Sequence, residues 1–195
     1  MMLFARIISF LSNPIIVLLA APYVLVDKVS SNDLYALKWT MFSYIFMGLV
    51  VLFVLAGVLT GFFSDIYISK KEQRPLFFSF AGIIMFFYLI SLLLLNGPKV
   101  LVVAVLGIFL GLIIIDTLNK WIKASVHLAT LSAFVLAGGI VYGAHLFWLL
   151  LPLIPIVAWS RVKTKGHTVP EAALGGILGA ALTIIVYIIS KRFIA

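Results

Sequence analysis

Two histidines in this chain stand beside residues that can assist chemistry at phosphorus. In the segment SRVKTKGHTVPE, His167 precedes Glu171 by four residues, so a helix that begins just after the histidine would bring the carboxylate to the imidazole. A histidine oriented in this way and kept neutral is a competent nucleophile. His127 follows Ser125 near the start of another apolar run, where free backbone amides favour an anion and a histidine can protonate a leaving oxygen.

Basic residues accompany both histidines. The segment KKEQRP places Arg74 before Pro75, a residue well placed to open a helix, and Arg161 lies six residues before His167. A guanidinium can hold a phosphate through paired hydrogen bonds. Taken singly, each segment also fits a basic helix end that contacts lipid headgroups. The candidate anion-binding residues are Arg74, Arg161, Ser125, Lys70, Lys71 and Lys123.

Metal and serine chemistry have weaker support. The absence of Cys excludes disulfides, thiolate nucleophiles and Cys-based metal sites. The histidines lack a spacing such as His-Glu-x-x-His, and neighbouring cations would repel a metal ion. No Gly-x-Ser-x-Gly motif occurs. We therefore predict a site without a metal or another cofactor.

The elements that position these residues must be membrane helices, because 65% of the residues are hydrophobic and only 10% are charged. Only helices or closed barrels span a bilayer, and the long unbroken apolar runs exclude a barrel. The sequence predicts an all-α, polytopic transmembrane helix bundle of six or seven spans. It would form a single domain over residues 1–195, in the cell membrane.

Seven runs approach the length of about 20 residues that a span requires. They lie at Ile7–Val26, Trp39–Phe63, Leu76–Asn96, Val100–Leu118, Ser125–Val141, Ala144–Trp159 and Ala172–Ser190. Prolines interrupt the first run, so residues 1–36 predict either an interfacial helix or a first span, and residues 37–195 predict the remaining bundle. Gly138, Gly139 and Gly143 predict a break between the fifth and sixth runs, and Pro152 and Pro155 predict a kink in the sixth.

If every run crosses the membrane, residues 64–75, 119–124 and 160–171 lie on one face together with the N-terminus. We call this face the basic face. Much of the net charge of +8 lies in such short segments, which favours contact with lipid headgroups over nucleic acid. The predicted partners are therefore membrane lipids and a lipid substrate, with no nucleic acid.

Together, the three segments resemble the signature of the type-2 phosphatidic acid phosphatase superfamily, the lipid phosphate phosphatases. The family pattern is KxxxxxxRP, PSGH and SRxxxxxHxxxD, in that order and at helix ends on one membrane face. The third part reads SRVKTKGHTVPE in this chain, with Glu171 where the family usually has Asp. The second part reads ASVH, and the first keeps Arg74 and Pro75 but has Tyr67 in the position of the Lys.

The resemblance implies a six-helix, metal-independent phosphatase that acts on a polyprenyl phosphate, a polyprenyl diphosphate or phosphatidic acid. His167 would form a phosphohistidine, Glu171 would hold and polarise it, and His127 would protonate the leaving oxygen. The phosphoryl oxygens would be bound by Arg74, Arg161 and Ser125, with Lys70 or Lys71 in addition.

The departures from the family pattern support a second interpretation. Tyr67 removes a cation, and Val126 places a bulky side chain where Gly allows close approach of a ligand. The alternative is therefore a catalytically silent protein that binds or organises anionic lipids through the same face. A transporter is disfavoured because Asp116 is the one charged residue within a predicted span, and it lies near the span's end.

Overall fold

The apolar runs form helices. The computed structural model describes residues 1–194, and every regular element in that range is helical. The helices are α1 (Met2–Leu11), α2 (Pro14–Ser30), α3 (Asp33–Leu59), α4 (Arg74–Leu94), α5 (Lys99–Asn119), α6 (Val126–Tyr142), α7 (Ala144–Leu150), α8 (Leu153–Lys163) and α9 (Val169–Ile194). A short 3-10 turn, Lys71–Gln73, precedes α4.

Six helical segments are long and apolar enough to cross a membrane, which confirms the prediction of a polytopic helix bundle. They are Met2–Ser30, Asp33–Leu59, Lys71–Leu94, Lys99–Asn119, Ala144–Lys163 and Val169–Lys191. The remaining apolar helix, α6, is shorter, with 17 residues. The chain is therefore a multi-pass membrane protein.

Helix caps explain where the structure departs from the predicted run ends. The third helix begins at Asp33, six residues before the predicted Trp39, because the side chain of Asn32 accepts a hydrogen bond from the Tyr35 amide at 2.9 Å. The first run is divided into α1 and α2, since Asn13 caps α2 through the Ile15 amide at 2.9 Å. The length of an apolar run alone does not predict where such caps begin a helix.

The two breaks predicted late in the chain are confirmed. Of the three glycines predicted for the first break, Gly143 separates α6 from α7, and its φ of 98° favours glycine. Gly138 and Gly139 lie inside α6. Residues Leu151 and Pro152 separate α7 from α8, so the sixth apolar run is a helix broken into these two parts. This broken helix leads back to the basic face, where α8 ends at Lys163.

Close packing of α6 against α9 brings two segments of the basic face together, and it is the most extensive helix contact in the described chain. A Cβ atom at Gly179 would lie 2.0 Å from the Ala129 carbonyl oxygen, and one at Gly175 would lie 2.3 Å from the Ser125 carbonyl oxygen. Glycines four residues apart let the two backbones approach in this way. The starts of α6 and α9 are consequently neighbours.

This packing predicts that Gly179→Ala destabilises the bundle, because the new methyl group cannot be placed without moving the Ala129 backbone. We expect the free energy of unfolding to fall by about 1–3 kcal/mol. The measurement is detergent-induced unfolding followed by circular dichroism. Gly176→Ala is the matched control, since its Cβ would lie 3.4 Å from the Ser132 hydroxyl oxygen, near ordinary contact. Equal stability of the two variants would contradict the prediction.

Candidate functional site

The three predicted segments meet on the basic face. The Ser125 amide donates a hydrogen bond to the Glu171 carbonyl oxygen at 3.1 Å, which joins the start of α6 to the first turn of α9. The ammonium of Lys123 donates to the Gly166 carbonyl oxygen at 3.4 Å. Lys123 thus contacts Gly166 and His167, which lie about 45 positions further along the sequence. The side chains of these segments therefore form one cluster.

The orientation of His167 is fixed at one ring nitrogen. Its Nδ1 lies 3.1 Å from the Lys123 carbonyl oxygen and 3.4 Å from Oε2 of Glu171. A carbonyl oxygen can only accept a hydrogen bond, so Nδ1 carries the proton. In the neutral ring the lone pair is then on Nε2. The side chain of His167 is 2% exposed and so cannot rotate freely away from this arrangement.

Glu171 is itself fixed by the start of α9. Its Oε2 accepts a hydrogen bond from the Thr168 amide at 2.9 Å, and the Thr168 hydroxyl oxygen accepts one from the Glu171 amide at 3.5 Å. This reciprocal pair is a capping box, which satisfies two amides at the helix start. Oε2 of Glu171 therefore caps the start of α9 and also faces the imidazole of His167.

The surroundings of His167 keep it neutral. Burial, followed by the positive charges of Arg161, Lys123 and Arg74, lowers the pKa of His167 to about 4, while Glu171 opposes the shift. Lys123 responds to the same environment, since burial and the charge of Arg74 lower its pKa. At neutral pH the imidazole is consequently in the form that can act as a nucleophile.

Arg74 is buried at the start of α4 among neutral acceptors. Its Nε donates to the Ile68 carbonyl oxygen and its Nη1 donates to Oδ1 of Asn119, both at 3.3 Å. Ile68 has a left-handed backbone, with a φ of 48°. The amide nitrogen of Asn119 donates in turn to the Lys71 carbonyl oxygen at 3.4 Å. These bonds orient the guanidinium without neutralising its charge.

Arg161, in the last turn of α8, is held by Ser9 from outside the three segments and by Gly166 from its own segment. Its Nη1 donates to the Ser9 hydroxyl of α1. A Cβ atom at Gly166 would lie 2.7 Å from Nη2, so the guanidinium lies directly against that glycine. Among residues 1–194, the buried Nε of Arg161 has no hydrogen-bond partner.

Ser125 and His127 open α6. The Ser125 side chain is fully buried and accepts the Leu128 amide at 3.5 Å as the helix cap. His127 is the second residue of α6 and is buried, and its Nε2 has no hydrogen-bond partner in the described part of the chain. The ring of Tyr67 lies 6.3 Å from that of His127, centroid to centroid. Tyr67 therefore lies beside the cluster, at the position where the phosphatase pattern has a Lys.

The predicted lysines divide into two groups. Lys123 lies within the cluster, where its ammonium is partly buried. Lys71 directs its ammonium to the Lys120 carbonyl oxygen at 2.8 Å, and Lys70 is exposed. The structure thus brings Arg74, Arg161 and Lys123 together around His167 and leaves Lys70 and Lys71 at the rim.

Two residues of the site were not predicted from the sequence. Asn119 orients Arg74 from the end of α5, and Ser9 orients Arg161 from α1. A polar residue at the end of an apolar run was a weak signal for Asn119. Ser9 had no such signal, because it lies inside an apolar N-terminal segment.

The arrangement suits an anion better than a metal ion. Three cations surround one neutral histidine, while no group of three His, Asp or Glu residues within the described chain is placed to hold a metal. No protein-family model, curated protein or solved structure matches the chain. The function must therefore be inferred from the geometry of the site and from its sequence pattern.

The environment of His167 predicts opposite responses to two substitutions. Lys123→Met removes a positive charge and should raise the pKa of His167 toward its ordinary value, whereas Glu171→Gln removes the opposing negative charge and should lower it further. The measurement is an NMR titration of histidine-labelled protein in micelles, with each imidazole assigned by substitution. Titration of His167 near pH 6.5 in the unmodified protein would contradict the prediction.

Proposed function

We propose that this protein is an integral membrane phosphatase that hydrolyses a phosphomonoester or diphosphate of a lipid through a phosphohistidine on His167. The observation that carries the proposal is the fixed Nδ1 of His167, held by the Lys123 carbonyl and Glu171 so that Nε2 is the nucleophilic atom. The resemblance of the three segments to the lipid phosphate phosphatase signature supports the same chemistry.

The first step transfers the phosphoryl group to the protein. The lone pair on Nε2 of His167 forms a bond to phosphorus while the bond from phosphorus to the lipid oxygen breaks. The leaving oxygen takes the released electron pair and a proton from His127. Arg74 and Arg161 stabilise the charge on the phosphoryl oxygens, and a bound phosphoryl group also favours the protonated form of His127.

The second step releases phosphate. Water attacks the phosphorus, and the neutral His127 left by the first step accepts a proton from this water. The bond between phosphorus and nitrogen breaks, and its electron pair returns to Nε2. Protein and protons are then as they were at the start, and no metal ion or oxidant enters the cycle.

A lipid substrate is supported by a groove of about 530 Å³ between α4 and α5. Its walls are mostly apolar, with Phe78 at one end and Phe87 at the other, and Ser79 and Asp116 are its polar lining residues. Phe78 lies one turn below Arg74, and this part of α4 extends roughly 13 Å along the helix axis. We propose that the phosphate lies in the cation cluster while the lipid tail follows this groove. We also propose that the protein belongs to the cell membrane.

The competing function is that of a lipid-binding protein without turnover. It is favoured by Tyr67, an aromatic ring beside His127 in place of the cation of the phosphatase pattern. Binding of anionic lipids that persists without phosphate release, across polyprenyl phosphates, polyprenyl diphosphates and phosphatidic acid, would support it over the phosphatase.

The proposed mechanism predicts metal-independent phosphate release that depends on two of the three histidines. His167→Asn should lower kcat by at least ~10³-fold because the nucleophile is lost. His127→Asn should lower it by about 10²–10⁴-fold because the leaving oxygen is no longer protonated. The measurement is phosphate release from each lipid by purified protein in EDTA.

His145→Asn is the matched control, since His145 is exposed at the start of α7. This variant should keep full activity. Phosphohistidine trapped by quenching at neutral pH should be present in the unmodified protein and absent from His167→Asn. Full activity of His167→Asn would overturn the mechanism.

The groove predicts that Gly82→Leu discriminates substrates by tail length. A Cβ atom at Gly82 would lie 3.8 Å from the ring of Phe109, so a leucine fits but fills the groove. We expect kcat/KM to fall roughly tenfold for a long-chain phosphate and to stay unchanged for a short-chain one. Gly48→Leu is the control, because its Cβ would have no neighbour within 4 Å and Gly48 lies outside the groove. Equal effects on both tail lengths would contradict the groove assignment.

A further inference from the structure

The N-terminal helix α1 is attached to the site by its polar side. Ser160 is fully buried and its hydroxyl donates to the Ala5 carbonyl oxygen at 2.6 Å. One turn along α1, the buried Ser9 hydroxyl accepts a hydrogen bond from Arg161. The Phe4 and Trp159 rings extend this contact, with centroids 6.4 Å apart. Two consecutive residues of α8 thus bind two consecutive turns of α1.

The outer side of α1 is exposed and mostly apolar, with Arg6 as its charged residue and with Leu3, Phe4, Phe10 and Leu11 each more than half exposed. Such a helix is suited to the membrane interface, where one face contacts lipid and the other contacts protein. Ala5 and Ser9 are its buried residues, four positions apart and therefore on one face. The face of α1 that carries Ser9 is consequently held against the site.

Ser9 holds Arg161 in a particular chemical way. A hydroxyl oxygen accepts a hydrogen bond from the guanidinium without adding a negative charge, whereas a carboxylate in its place would neutralise the cation. Gly166 restricts the same guanidinium from another side. The direction of Arg161 is therefore set while its charge is not neutralised, and its buried Nε–H has no hydrogen-bond partner among the described residues.

Ser9 also lies next to the second histidine. Its backbone carbonyl lies beside the imidazole of His127, whose Nε2 has no hydrogen-bond partner among the described residues. One residue of α1 thus borders both a cation and a histidine of the cluster. A helix with only a lipid-anchoring role would not require a buried hydroxyl at this position.

We propose that α1 completes the phosphate site and that Ser9 is the positioning residue for Arg161. The inference rests on the proposed function, in which Arg161 binds the phosphoryl oxygens. It adds a fourth segment to the three motif segments. Loss of the Ser9 hydroxyl should weaken phosphate binding without unfolding the protein, because Ser160 and Ala5 still hold α1 in place.

The test compares Ser9→Ala with Ser12→Ala in the full-length protein. Ser12 is also buried on α1, but its hydroxyl donates to the Ser9 carbonyl at 3.4 Å and not to Arg161. We expect Ser9→Ala to weaken the binding of inorganic phosphate, followed by ³¹P NMR, about tenfold. It should also lower kcat/KM for a lipid phosphate to a similar extent. Ser12→Ala should change neither quantity.

A double-mutant cycle separates positioning from general destabilisation. If Ser9 acts through Arg161, Ser9→Ala should weaken phosphate binding in the normal background and not in an Arg161→Ala background. Equal weakening in both backgrounds, or equal behaviour of Ser9→Ala and Ser12→Ala, would overturn the role of Ser9.

The same measurements distinguish failure of the proposed function from failure of this inference. Phosphate binding that depends on Ser9 in a protein without turnover would reject the phosphatase and keep the positioning role. Turnover that is insensitive to Ser9→Ala would keep the phosphatase and reject the positioning role of Ser9. Absence of both binding and turnover in the unmodified protein would reject both.

Discussion

The contact between α6 and α9 is the constraint on which the rest of the site depends. Gly175 and Gly179 allow the backbones to approach so closely that the Ser125 amide reaches the Glu171 carbonyl oxygen at 3.1 Å. In a bilayer, where lipid tails are as apolar as the helix surfaces, such close packing supplies much of the association energy. The same contact sets the distance between the segments that carry His127 and His167. The contact between α6 and α9 thus determines both the packing of the bundle and the geometry of the site.

The electrostatic character of the cluster follows from the choice of hydrogen-bond partners. Arg74 is oriented by a carbonyl and an amide oxygen, and Arg161 is oriented by a hydroxyl. These neutral acceptors satisfy guanidinium hydrogens without pairing the positive charges directly, and Glu171 and Asp65 offset the charge of Arg74 only in part. A buried charge is costly without a counter-charge. Among residues 1–194, Glu171 is the carboxylate in contact with His167. On the proposed function, the phosphoryl group of the substrate supplies the missing negative charge.

The sequence predicted what depends on neighbouring residues and missed what depends on tertiary packing. Apolar length predicted the helices, and the turn at Gly143 followed from the backbone freedom of glycine. The hydrogen bond between Arg74 and Asn119 joins residues 45 positions apart, and no local pattern selects such a partner. Helix starts were misplaced where a polar cap such as Asn32 extends a helix beyond its apolar run. The contact between α6 and α9 was not predicted, although the four-residue spacing of Gly175 and Gly179 is typical of close helix contacts.

The attachment of α1 to α8 has a consequence for how the protein becomes functional during synthesis. Ala5 and Ser160, which are hydrogen-bonded, are separated by 155 positions in a chain of 195 residues. The ribosome delivers α1 to the membrane before α8, so the partners of α1 on α8 emerge only after most of the other helices have been made. Arg161 therefore acquires its final direction late, when α8 contacts α1. On the proposed function, phosphate turnover would then report that this contact has formed.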